Sequence, residues 1–101
     1  MSASDGGDLA VAVVMIDDGK IRVTRWQFPP GTATGMHQHE FDYVVVPITG
    51  GTFTITDPDG NRSTMSQVPG EPYARSLGVR HNVANEQSAT VSFVEIELLG
   101  S

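Results

Sequence analysis

The 101-residue chain contains no cysteine. No disulfide can staple the fold, and no thiolate is available as a nucleophile or metal ligand. Basic residues are scarce: six Lys and Arg stand against twelve Asp and Glu, a formal net charge of −6. Lys20, Arg22, Arg25, Arg62, Arg75 and Arg80 are scattered rather than clustered. Nucleic acid is therefore not expected as a partner, because binders of phosphate backbones gather their cations on one face. Long apolar runs are missing as well. The longest, LAVAVVMI at residues 9–16, falls well short of the ~20 residues that a membrane-spanning helix needs. Residues 1–8, MSASDGGD, hold no basic stretch followed by an apolar one. They do not read as a secretory signal, and a short disordered tail is expected there. A cytoplasmic protein is expected, with no membrane partner and one domain over residues 9–101. Finally, no segment carries a sustained apolar period of 3.6, so no helix is expected.

What the chain does have is turn signals at short intervals. Asp17-Asp18-Gly19, Pro29-Pro30-Gly31, Gly50-Gly51, the run DPDGN at 57–61, Pro69-Gly70, Gly78 and the run NEQS at 85–88 punctuate it. Between them lie short segments rich in Val, Ile, Thr, Phe and Tyr, which suit a pleated, half-buried surface. That rhythm predicts an all-β sandwich or barrel. Strands are expected at 9–16, 20–28, 43–48, 52–56, 62–67, 72–75, 81–84 and 90–98. Residues 57–61 form the surest hairpin turn, because Asp-Gly tolerates positive φ. Pro47 removes a backbone donor inside a strand-like run and should mark a bulge or an edge.

All three histidines sit in two short stretches. His37 and His39 form H-x-H in GTATGMHQHEFDYVVVPITG at 31–50. On a strand they share a face, and their imidazoles can converge on one ion at about 2.1 Å. Taken alone, the pair reads more readily as two exposed histidines near a turn. His81, in SLGVRHNVAN, stands at the start of another strand-like run and can complete a three-histidine set if the two strands face each other.

The two stretches resemble the paired motifs of the cupins. The first family motif is G-(x)5-H-x-H-(x)3,4-E-(x)6-G, matched in spacing by Gly31, His37, His39, Tyr43 and Gly50. The second is G-(x)5-P-x-G-(x)2-H-(x)3-N, matched by Gly70, Ser76, Gly78, His81 and Asn85. Two residues depart from the pattern: Tyr43 stands in place of Glu and Ser76 in place of Pro. The match is specific, since every histidine of the chain falls on a histidine position. It implies a cupin double-stranded β-helix, a jelly-roll barrel of about eight strands in two antiparallel sheets. Within the family the chain is similar to small single-domain bacterial cupins, among them cupins associated with β-alanine degradation.

The resemblance makes His37, His39 and His81 the ligands of a divalent transition metal, with Fe, Zn, Ni or Mn suited to imidazole donors. With no fourth protein ligand, positions stay open for substrate, as catalysis requires. Tyr43 occupies the place of the family's carboxylate ligand. Its readings, in order, are a hydrogen-bond donor beside the metal, plain packing, and direct ligation by the phenolate. Glu40 and Asp42 are adjacent but alternate away from the histidines. Glu95 and Glu97 alternate with Val94, Ile96 and Leu98, which reads first as a polar outer face over an apolar inner one, with a barrel-facing Glu95 as the second reading. Arg75 shares a strand face with Tyr73 and is a candidate carboxylate anchor. Trp26 and Phe28 are expected in the core or a subunit contact, with a substrate-lining role as the alternative. The glycines of the two motifs are expected at turns, and Asn85 is expected to close a turn with its side chain.

The function expected on this basis is a small metal-dependent enzyme, of dioxygenase or isomerase type, acting on a small anionic or carbonyl-containing metabolite. Tyr43 and Arg75 would assist at the metal. The alternative is a non-catalytic binding or sensor cupin with the same pocket. A homodimer is expected, as is common among cupins, with the apolar segments at 9–16 and 90–98 as its surface.

Overall fold

The computed structural model describes residues 8–100. It is all-β, with nine strands and no helix among the described residues: β1 Val11–Asp17, β2 Ile21–Phe28, β3 His37–Gln38, β4 Tyr43–Pro47, β5 Gly51–Thr56, β6 Arg62–Gln67, β7 Tyr73–Arg75, β8 Arg80–Ala84 and β9 Val91–Leu98. One sheet runs β1-β2-β9-β4-β7 and the other β3-β8-β5-β6. All strand pairs are antiparallel. The expected tail lies outside the described residues except for Asp8. No helix among the described residues is long and apolar enough to cross a membrane.

Eight strands stand where the sequence places them, give or take two residues. The addition is β3, a single antiparallel step in which His37 faces His81 and Gln38 faces Arg80. Two residues are too few to show a period of two, so H-x-H reads as a turn. β1 slips register between Val14 and Ile16; a bulge at Met15 puts Val14 and Ile16 on opposite faces. Pro47 ends β4 beyond the last ladder pair with β7; its carbonyl accepts from Gly70 N, and past the end of that ladder its missing N–H is tolerated.

The core sits between the sheets. Phe28 and Phe53 are fully buried, with Val45, Val91, Val83 and Phe93 around them. The Phe28 and Phe53 rings meet edge-on at 4.8 Å, and Phe28 stacks on Phe93 at 5.6 Å. Both arrangements suit the ring quadrupole. Asn85, also fully buried, closes its turn as expected: its Oδ1 accepts from Gln87 N, and its Nδ2 donates to Ala89 O and to Phe28 O. One side chain thus ties the β8–β9 turn to the end of β2.

The register of the larger sheet sets up its inner face in rows. Tyr43 pairs with Arg75 on one side and Glu97 on the other, and Glu97 with Arg22. One step deeper, Val45 lies between Tyr73 and Glu95, and Glu95 pairs with Thr24. Deeper still, Phe93 pairs with Pro47 and Trp26. Polarity therefore falls along the barrel, from a charged mouth to a dry interior.

This reverses the expectation for β9. Glu95 points inward and is 9% exposed, whereas Leu98, on the other parity, is exposed at 37%. The inner face here borders a polar cavity rather than core, so alternation alone assigns the faces backwards. The outer face is correspondingly apolar, with Val23, Val44, Val94 and Ile96 half-buried in the single chain. Every residue of the edge strand β1 is exposed, including Val11, Val13, Val14, Met15 and Ile16.

Candidate functional site

His37 and His81 face each other across β3 and β8. His39 follows on the chain emerging from β3, held by its N–H to Val79 O and by its carbonyl accepting from Gly78 N. The three side chains meet. Nε2 of His39 lies 3.1 Å from Nε2 of His37 and 3.2 Å from Nε2 of His81. The ligand atoms of all three fall within 4.8 Å of one another.

Proton bookkeeping decides what such a cluster wants. Nδ1 of His37 is 2.9 Å from Gly35 O. A carbonyl only accepts, so that nitrogen carries the ring proton and Nε2 presents a lone pair. Gly35 is fixed in turn by donating its N–H to Asn82 Oδ1. The one Nε2 of His39 then faces two nitrogens and carries at most one proton for both. Burial, reinforced by the neighbouring histidine charges, holds His39 and His81 down at about 4. Near neutral pH both rings are therefore uncharged, the form that binds metals. A metal–nitrogen bond of about 2.0–2.1 Å with angles between tetrahedral and octahedral spaces the nitrogens by roughly 2.9–3.4 Å. The two spacings measured from His39 fit that range.

Tyr43 is 4% exposed and belongs to the core cluster. Its ring stacks on His39, with centroids 3.9 Å apart and planes 17° from parallel. The stack packs Tyr43 directly against His39. Burial, aided by the nearby Glu95 carboxylate, pushes the phenol up to about 12, so it stays protonated at neutral pH. Glu40 is exposed, and Asp42 accepts from Leu77 N. Neither replaces the missing carboxylate.

The histidines, Tyr43, Arg75 and Glu95 border one cavity of about 150 Å³. Most of the remaining lining is apolar, with Trp26, Phe53 and Phe93 among it. Trp26 is thus a cavity residue as well as a neighbour of Phe28. The Arg75 guanidinium lies 4.5 Å from the Tyr73 ring centroid and donates to Ala74 O, with no carboxylate partner among the described residues. Tyr73 is held by Gln67, whose Nε2 donates to its hydroxyl.

Two acidic residues of β9 face inward, which was the second reading of Glu95 and was not expected of Glu97. Glu97 is spoken for: Arg22 donates to it from Nε and Nη2 at 2.8 and 3.1 Å. Glu95 has no such partner. Burial, then the Glu97 charge, push its carboxyl up to about 7. The Trp26 indole N–H partly offsets this, yet Nε1 reaches no acceptor in hydrogen-bond geometry. The signal for Glu95 was present in its parity with Phe93, which shares its face.

No family model matches the chain. The β-alanine degradation protein BauB of Pseudomonas aeruginosa is 45% identical over 93 residues, covering 92% of this chain and 97% of that protein. A cupin domain from Bordetella pertussis, solved at 1.80 Å, is 44% identical, with a TM-score of 0.86 over 90% of this chain and 94% of that one. An RmlC-like cupin family protein with a double-stranded β-helix fold from Methanocaldococcus jannaschii shares 15% identity, with a TM-score of 0.73 over 92% and 83% of the two chains; that likeness concerns the fold alone. Kinship with the Bordetella domain along nearly the whole chain, two antiparallel sheets in the double-stranded β-helix arrangement and the three converging histidines agree: this chain belongs to the cupin family.

Proposed function

We propose that the protein is a metal-dependent cupin enzyme, in which His37, His39 and His81 hold one divalent transition ion such as Fe, Zn, Ni or Mn. The observation that carries the reading is the convergence of three Nε2 atoms that the available protons cannot all satisfy. The bound ion supplies Lewis acidity toward a substrate oxygen, or redox chemistry if it is iron. The rest falls to the chain. Arg75 carries free donors at the rim of the cavity and anchors an anionic group. Tyr43 keeps His39 in position, and its protonated hydroxyl serves proton transfer to substrate. The apolar lining excludes water. The substrate is a small anionic or carbonyl-containing metabolite. The name of the Pseudomonas relative supports a link with β-alanine breakdown. A cytoplasmic location and a homodimer complete the reading, the dimer covering the exposed apolar residues of β1. Light scattering at micromolar concentration checks the dimer, and a monomer there would refute it.

Metal analysis tests the central reading. Protein dialysed against Zn or Fe(II) and then against buffer should keep close to one equivalent, and His81→Ala should lose it while staying folded. Wild-type protein that holds no more metal than His81→Ala overturns the proposal. Metal-loaded protein that binds a metabolite without ever converting it would point to the non-catalytic cupin instead.

A further inference from the structure

The cavity is lined by one acidic and one basic side chain that have no ion-pair partner among the described residues. Glu95 is buried and in no ion pair among the described residues, because the neighbouring Arg22 is committed to Glu97. Arg75 has no carboxylate partner either. The register explains why they do not meet: Arg75 is on β7 and Glu95 on β9, with β4 between them. Two inter-strand spacings separate their backbones by about 10 Å, and Tyr43 and Val45 fill the gap on the inner face. Leaving a buried carboxylate such as Glu95 unpaired is costly, whereas Arg75 is exposed at the rim with donors to spare, so a molecule that carries a cation to the first and an anion to the second gains mainly at Glu95. Trp26 lies beside the acidic pole in the lining.

We propose that this cavity selects short ω-amino carboxylic acids, whose ammonium group pairs with Glu95 and whose carboxylate reaches toward Arg75. The inference rests on the reading of the cavity as the ligand site and adds the class of molecule it takes. The cavity volume of about 150 Å³ limits the class to a few carbons. Burial that pushes the Glu95 carboxyl up to about 7 leaves it ready to ionise when a cation arrives.

The test uses three related probes: 4-aminobutyrate, butyrate and butylamine, titrated by calorimetry into full-length protein with its metal content measured on the same samples. 4-Aminobutyrate should bind at least tenfold tighter than either singly charged probe. Glu95→Gln, or Glu95→Met if the first variant melts early, should lower its affinity at least tenfold while leaving butyrate unchanged. Arg75→Met should weaken 4-aminobutyrate and butyrate alike. Equal affinity for butyrate and 4-aminobutyrate, insensitivity to Glu95→Gln, or no binding of any probe at millimolar concentration each overturns the proposal. If the protein carries no metal yet discriminates through Glu95 and Arg75, the metal reading fails and this one stands. If it carries metal and does not discriminate, the reverse holds.

Discussion

Truncating Asn85 to alanine should be among the most damaging single changes in the chain, although Asn85 touches no proposed ligand. The side chain is fully buried and makes three hydrogen bonds: to Phe28 O at 2.7 Å, to Ala89 O at 2.8 Å and from Gln87 N at 2.9 Å. The backbone bonds of residue 85, its N–H to Thr32 O and its carbonyl from Gly31 N, survive the substitution. What is lost is three satisfied partners, two of them carbonyls in or beside the core. At about 1–1.5 kcal/mol per bond the cost is roughly 3–4 kcal/mol. That is a large share of the ~5–15 kcal/mol that holds a typical domain together. Urea unfolding followed by the fluorescence of Trp26, the sole tryptophan, measures it: the midpoint should fall while the slope stays constant. Asn85→Asp should cost at least as much, since it keeps the acceptor for Gln87 N but turns a carboxylate on two carbonyls. A loss below about 1 kcal/mol for Asn85→Ala would refute the reasoning, because each orphaned buried group alone should cost that much.

Gly51→Ala should destabilise by about 2 kcal/mol or more, because Gly51 has φ +138° and an added Cβ would sit 2.6 Å from Val91 Cγ2. Gly60→Ala, with φ +86° and nothing within 4 Å, should cost clearly less; equal shifts in thermal melts would contradict this. Metal-free protein should lose stability on acidification from pH 6.5 to 4.5. His39 and His81 titrate near 4 in the fold against 6.5 when free, so unfolding takes up protons in that window. Glu95, raised from 4.5 to about 7, acts in the opposite sense with one proton against two, so Glu95→Gln should make the loss steeper. A melting temperature that rises toward acid would contradict the assignment. Tyr43→Phe keeps the stack on His39 and should leave metal stoichiometry unchanged; loss of metal in that variant would instead favour phenolate ligation.

Much of this architecture was legible in the sequence. The turn residues delimit strands because Gly, Pro and Asp-Gly act locally, and local rules survive folding. The histidines were legible through spacing, since two motifs must agree to bring His81 opposite His37. Glu95 was not. Alternation in β9 separates two sets of residues, but which set faces inward depends on how β9 registers with β2 and β4, a tertiary choice. Apolar Val94 and Ile96 would ordinarily win the interior; here the interior at that level is the cavity, and they lie outside. The pairing of His37 with His81 was hidden for another reason, because a two-residue strand has no periodicity to read.

The graded inner face described above has a consequence for how such a protein can change. The aromatic cluster of Phe28, Phe53 and Phe93 lies among the deeper rows, while most of the proposed chemistry hangs from the rim: a two-residue strand, a three-residue strand and the far half of β9. Substitutions at positions 37, 75, 81 and 95 alter what the cavity binds without opening that cluster. Tyr43 is the exception, since it belongs both to the core and to the histidine site. One barrel can therefore trade ligands and reactions at its mouth while its foundation stays in place, with position 43 as the hinge between heritable stability and adaptable chemistry.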